Sequence, residues 1–266
     1  MPDGSNKPAE ADRIHGHIVP LGACLAITWM SRRRAAERRM AVVEAFGAII
    51  GRALDLALPP RCAGCGEEGR AICARCAPAL DARLERAAGV PIGLPASIPH
   101  PLLQLEWCAP FSGTVRKALH ELKYSGEQRL AVPLGAAIAR RWREVGVGGD
   151  VVAHVPVSTE RLRTRGYDQA ALLARAVARE LGRPAIHALE RHRATVPQFE
   201  LDRSKRAGNV AGAFRVRAAA RDAVSGRWVV LIDDVTTTGA TLAACAEALL
   251  DGGAFAVSAI AMAREA

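Results

Sequence analysis

From Arg116 onward the apolar positions of the chain follow two alternating repeats. Arg116 to Tyr124, Leu130 to Arg143 and Asp168 to Leu181 space their apolar residues three and four apart, as amphipathic helices do, and Thr241 to Leu250 reads the same way. Between these segments lie short apolar runs: "VVAHVPV" (Val151 to Val157), "NVAGAFRV", "RWVVLIDD" (Arg227 to Asp234) and "AFAVSAIAMA". Runs of this length, nearly free of polar residues, predict strands buried on both faces. Strands alternating with helices predict an α/β fold with a Rossmann-type parallel sheet covered on both sides. No internal repeat is visible.

Further upstream, "MAVVEAFGAIIGRALDLAL" sets Val42, Val43, Phe46, Ile49, Ile50 and Leu54 on one helical face, and Pro59-Pro60 ends the pattern. Nothing before Met40 shows comparable order, so residues 1–39 are expected to be a flexible extension, or translation to start at Met40. The longest uncharged apolar run, Ile18 to Ser31, contains Pro20 and is too short to span a bilayer. Its basic cluster "RRRAAERR" follows the apolar stretch, whereas a secretory signal carries its charge ahead of it. A cytoplasmic protein is expected. Domain boundaries are expected at 40–80 for the helix and a cysteine cluster, 81–106 for a proline-bearing linker, and 107–266 for the sheet.

Charge adds one fact. The 266 residues carry a formal net charge of +9, and all but four of the 36 basic residues are arginine. Arginine suits bidentate capture of phosphate or carboxylate, although an arginine- and alanine-rich composition also arises from coding bias. Aromatic residues make up 4% of the chain, a poor supply of stacking platforms for nucleic-acid bases.

Cys62, Cys65, Cys73 and Cys76 form two C-x-x-C pairs in "CAGCGEEGRAICARC", with Gly64 and Gly66 easing the turns. Two such turns suit a tetrahedral structural zinc site, with an iron–sulfur cluster as the rival occupant. A redox pair needs only one C-x-x-C, and a module of about 40 residues folds poorly without a staple. Cys24, Cys108 and Cys245 lack such spacing and read as small apolar residues.

The stretch "VVLIDDVTTTGATL" (Val229 to Leu242) runs a strand into Asp233-Asp234 and then into a threonine-rich turn before a helix. A magnesium-holding strand of a P-loop enzyme would need an upstream Gly-Lys, and the chain contains none. An acidic receiver pocket belongs near the start of its domain, and a bare acidic turn does not account for the threonines. N–H groups at a helix N-terminus, with hydroxyls beside them, hold phosphate, and carboxylates at a strand end accept from a diol. A ribose 5-phosphate presents both groups.

This stretch resembles the phosphoribosyl pyrophosphate (PRPP) motif of type I phosphoribosyltransferases. With the four cysteines, "LHELKYSG" (Leu119 to Gly126), "VPVSTERLRTRGYDQA" (Val155 to Ala170) and "PQFELDRSKRAGNVAGAF", the chain resembles the ComF family, competence-protein-F-like phosphoribosyltransferase homologues, over nearly everything after Met40. The resemblance implies a type I phosphoribosyltransferase-like sheet preceded by a zinc ribbon. It implies PRPP bound with magnesium. Asp233 and Asp234 would address the ribose hydroxyls, and Thr236, Thr237, Thr238, Gly239, Ala240 and Thr241 the 5-phosphate. Pro156, Val157 and Ser158 would form the pyrophosphate loop, with Arg161, Arg163 and Arg165 after it. Gln198, Arg203, Arg206 and Asn209 would belong to a flap closing over the site. Lys123 and Tyr124 divide evenly between packing and site roles. Asp168 stands where the family usually shows Asn, and a carboxylate only accepts hydrogen bonds. Three functions follow: phosphoribosyl transfer to an unknown acceptor, a non-catalytic PRPP or nucleotide sensor, or an accessory protein of DNA uptake contacting single-stranded DNA or a helicase.

Overall fold

The computed structural model describes residues 59–89, 99–192 and 212–265. The helix expected from Met40, the extension before it and the flap residues Gln198, Arg203, Arg206 and Asn209 lie outside them, as does most of the proline-bearing stretch.

Among the described residues, six strands and six α-helices follow in chain order: β1 (Gln104–Pro110), α1 (Gly113–Tyr124), α2 (Ala131–Val145), β2 (Val151–His154), α3 (Thr159–Arg165), α4 (Gln169–Leu181), β3 (Leu189–Arg191), β4 (Phe214–Val216), α5 (Arg221–Val224), β5 (Trp228–Thr236), α6 (Ala240–Asp251) and β6 (Ala256–Arg264). Four strands make a sheet in the order β1-β6-β5-β2, and every pairing is parallel. β3 and β4 pair separately as an antiparallel ribbon. The α/β class read from the periodicity is the observed one.

Strand side chains alternate between faces, and the two cores follow that alternation. Val230 and Ile232 of β5, with Ile260 and Met262 of β6, join a core built with α1, α2 and α4. Val229, Leu231, Val257 and Ala259 point the other way, into a core shared with α6 and the β3–β4 ribbon. Both faces are covered, so the strands read as continuous apolar runs.

β1 was not foreseen in the periodicity, and its sheet residues start three positions before the Trp107 boundary. Its sequence "QLEWCAP" interleaves polar residues with apolar ones, yet Gln104 and Glu106 are buried. Gln104 answers both its amide groups with backbone, donating to Val145 O at 2.8 Å and accepting from Val147 N–H at 2.8 Å. Glu106, fully buried, accepts from Arg141 at 2.9 Å, and Arg83 lies 3.5 Å away. A buried polar residue that is fully partnered costs little, so tertiary contacts override the local pattern.

β2 ends at His154 rather than Val157. Val155 N–H still donates to Ile232 O, but Pro156 has no N–H to continue the ladder. β5 runs on to Thr236, two residues past the aspartates. The cysteine module is not detached from the sheet: Ala63, Ile72 and Leu80 pack into the same core as α1 and α2. Lys117 donates to Gly64 O, and Arg140 clasps Asp81 at 2.8 Å.

Candidate functional site

After β2 the chain passes to α4 on one face of the sheet; after the neighbouring β5 it passes to α6 on the other. The carboxyl ends of two adjacent strands whose connections diverge leave a crevice, the usual ligand position in open α/β sheets. A cavity of about 810 Å³ occupies that place. Its walls include Pro156, Val157 and Ser158 after β2, Asp233 and Asp234 of β5, and Thr236 through Thr241. Residues from two stretches some 75 positions apart thus meet as the motifs implied.

The aspartates are adjacent on a strand that continues past them, and so they face opposite sides. Asp234 continues the Val230–Ile232 face. It is 6% exposed, and its Oδ2 accepts from Lys123 Nζ at 3.0 Å and from Gln169 Nε2 at 2.9 Å. Asp233 falls on the α6 side, half-buried, its Oδ1 accepting Asp234 N–H at 2.8 Å. Burial pushes the Asp233 carboxyl well above the usual carboxylate range, and the neighbouring Asp234 charge adds to it. The two carboxyls differ in their partners, and both line the same cavity.

Gly239 caps α6 with φ of +81°, a conformation in which a side chain is strained, and a Cβ there would lie 2.8 Å from Leu105 Cδ2. Thr238 Oγ1 accepts Ala240 N–H at 3.4 Å, a long contact within the turn. Thr236 differs from the other threonines because its backbone stays in the ladder, its carbonyl accepting Glu265 N–H.

The stretch after Ser158 is helix α3 rather than an open loop. Ser158 caps it, its Oγ accepting Arg161 N–H. Helical spacing then sorts the three arginines. Arg161 and Arg165, four apart, share a face and line the cavity, whereas Arg163 lies about 200° around the axis, exposed and off the wall. Among the described residues, the cavity wall takes Arg161 and Arg165 from this helix and not Arg163. Asp168 makes full use of being acceptor-only: Oδ1 takes Ala171 N–H to cap α4, and Oδ2 takes Val157 N–H in the loop after β2. A carboxylate serves this position well.

Lys123, Tyr124, Tyr167, Gln169 and Arg191 also line the cavity. Of these the sequence pointed only to Lys123 and Tyr124, undecided. Tyr167 donates to Leu122 O, and Arg165 donates to Gln169 Oε1 at 2.9 Å. His154, behind the loop, sits 3.8 Å from Asp168 with its ring 4.9 Å from His187. Burial lowers its pKa to about 4, with His187, Arg175 and Arg217 acting the same way against Asp168.

The ligand atoms of Cys62, Cys65, Cys73 and Cys76 lie within 4.8 Å of one another, and Cys65 Sγ and Cys73 Sγ are 3.6 Å apart. Zinc–sulfur bonds of about 2.3 Å in a tetrahedron put sulfurs roughly 3.8 Å apart, so the set fits a single metal ion such as zinc. A multi-iron cluster would hold the thiolates further apart. A Cβ on Gly64 would come within 2.5 Å of Cys76 Sγ, so the turn needs glycine. Cys108 and Cys245 are buried in the two cores. None of the described helices is long and apolar enough to cross a membrane.

No family model matches the chain. Among solved structures, it is similar to glutamine PRPP amidotransferase from B. subtilis, complexed with ADP and GMP, at 22% identity and a TM-score of 0.36. That match covers 54% of this chain and only 30% of the larger one. Among curated proteins it is 31% identical over 204 residues to DNA utilization protein YhgH of Escherichia coli strain K12, covering 74% of this chain and 85% of the relative. The protein of the same name from Salmonella typhi is 30% identical over 201 residues, 70% of this chain and 87% of that one. With four clustered cysteines ahead of a parallel α/β sheet, and a relative matched along most of its length, the chain belongs to the ComF family, that of DNA utilization protein YhgH.

Proposed function

We propose that the cavity binds a ribose 5-phosphate unit of the kind PRPP carries. One observation carries the reading: an N–H- and hydroxyl-rich turn and two carboxylates open into a single cavity at the divergence of β2 and β5. The turn Thr237–Thr241, at the N-terminus of a twelve-residue helix, takes the monophosphate. Asp234 and Asp233 accept from the ribose hydroxyls, and the pyrophosphate lies along Pro156–Ser158 toward Arg161 and Arg165.

Transfer then consists of pyrophosphate leaving the anomeric carbon as an acceptor nitrogen approaches. Position and charge neutralisation supply the catalysis, and no nucleophile from the protein is required. Because Asp234 Oδ2 is already engaged by two donors, the magnesium expected with PRPP is not assigned to it. It enters as the counter-ion of the ligand's pyrophosphate. The four cysteines hold zinc, which contributes folding energy to the core they share with α1 and α2.

Calorimetric titration of PRPP with magnesium, beside Asp233→Asn/Asp234→Asn, tests the site. Binding by the native protein alone supports it; binding by neither, or equally by both, removes the acids from the reading. Pyrophosphate release on adding candidate acceptors separates an enzyme from a sensor.

A second reading rests on the relatives' name, DNA utilization protein, and on the net charge of +9. It makes the protein a single-stranded-DNA or helicase-associated factor. Contacts would be mostly to phosphate, so affinity should fall steeply with salt; weak, salt-insensitive binding excludes it.

A further inference from the structure

The acid pair at the end of β5 has a cation already. Lys123 Nζ stands 3.0 Å from Asp234 Oδ2, and the two side chains are 18% and 8% exposed. The lysine comes from the last turn of α1, where the helix carbonyls favour a positive group. Three further contacts hold the arrangement. Gln169 Nε2 donates to the same Oδ2 at 2.9 Å. Arg165 donates to Gln169 Oε1 at 2.9 Å, which turns the amide nitrogen toward Asp234. Tyr167 donates to Leu122 O, tying the loop before α4 to the turn that carries Lys123.

A divalent ion such as magnesium needs carboxylate oxygens free of other donors and a near-octahedral shell with room for several waters. Here one oxygen of Asp234 takes an ammonium and an amide. The other acid, Asp233, lines the same cavity, with Oδ1 accepting a backbone N–H. A lysine ammonium is a compact charge with three donors, able to neutralise Asp234 without filling the space in front of it.

We infer that Lys123 takes the place of a protein-bound divalent cation at Asp234, so that the site holds the ribose 5-phosphate portion of its ligand without metal. The inference rests on the ribose-phosphate reading for its ligand but not for its geometry. Lys123 is a positioning residue: it fixes the charge and orientation of the carboxylate that meets the sugar.

The zinc-loaded full chain and its Lys123→Met, Lys123→Arg and Lys123→Met/Asp234→Asn variants are titrated with manganese(II), followed by electron paramagnetic resonance. Manganese prefers oxygen ligands and reports on the acid pair rather than on the thiolates. Lys123→Met should bind manganese about tenfold more tightly than the native chain, since it leaves the Asp234 carboxylate without the lysine charge while Gln169 still donates to it. Lys123→Arg should behave as the native chain, and the double variant should lose the gain.

The same zinc-loaded proteins are titrated with ribose 5-phosphate, which has no pyrophosphate to chelate metal, in chelator-free buffer stripped of divalent ions beforehand and in magnesium. Native affinity should agree within about twofold between the two; Lys123→Met should be about tenfold weaker without divalent ions and recover in magnesium. Native binding that requires magnesium, or no manganese gain in Lys123→Met, overturns the inference. Ribose 5-phosphate binding to no protein under any condition overturns the ribose-phosphate reading, while the manganese comparison still decides the role of Lys123.

Discussion

Two buried carboxylates on the same sheet meet cations in contrasting ways. Glu106 on β1 is enclosed: it accepts from Arg141, with Arg83 beside it, and from Gly89 N–H. Arg141 also donates to the carbonyls of Arg83, Leu84, Arg86 and Ala87, latching the chain after the cysteine module onto the sheet. Asp234 on β5 likewise meets a cation and an amide from helices on that face, but it stands at the carboxyl end and borders the cavity. The enclosed cluster, two guanidiniums on one carboxylate, lies away from the cavity and holds the fold together. The open one keeps a neutralised carboxylate where a ligand arrives. Burial of charge alone does not mark a site; a boundary with a cavity does.

Perturbation should separate the two. The largest effect is expected at the enclosed cluster, where Glu106→Gln leaves two buried guanidiniums without their counter-charge. Unfolding in denaturant should show a loss of about 3–5 kcal/mol, with ligand affinity of the folded fraction unchanged. A change in affinity without loss of stability would contradict the contrast.

Metal removal should follow closely. Because Ala63, Ile72 and Leu80 share the α1–α2 core, chelation should destabilise the whole sheet and not a separate module. A metal present at a thousandfold over its dissociation constant stabilises by about 4 kcal/mol, and thermal unfolding with and without chelator should reveal a loss of that order in one transition. Two separated transitions would show the module to be independent.

On the open side, His154 is buried neutral beside the loop after β2. Its pKa of about 4 lies below the ordinary 6.5, burial being the main cause, so the unfolded chain takes up the proton first. Stability from this group is full above pH 6.5 and lost as pH falls from 6.5 to about 4, by roughly 3 kcal/mol. His154→Gln should remove that part of the slope from a pH series of denaturant midpoints.

The smallest effect is expected from Arg163→Ala, which should change PRPP affinity by no more than about 0.5 kcal/mol, an ordinary surface substitution. Arg161→Ala should weaken it, because that side chain lines the cavity. Equal effects would mean that the arginines act through net charge alone.

What the sequence by itself determined is what lies within one contiguous stretch. The two C-x-x-C turns, the apolar strand, the acids and the threonine–glycine turn are each read locally, because turn chemistry and donor type are properties of neighbouring residues. The strand–helix alternation established the α/β class for the same reason. The tertiary structure decided what depends on partners. β1 was illegible because its glutamine and glutamate depend on partners distant in sequence, Val145, Val147 and Arg141 from α2 and the turn that follows it, with Arg83 and Gly89 from the chain before β1. The pleat assigned the two aspartates to opposite faces, and the helical turn of α3 kept Arg161 while discarding Arg163. Lys123 and Asp234 are 111 positions apart, and no spacing rule links them. A buried charge takes its partner from whichever element packs against it, and packing is settled only when the sheet closes over its helices.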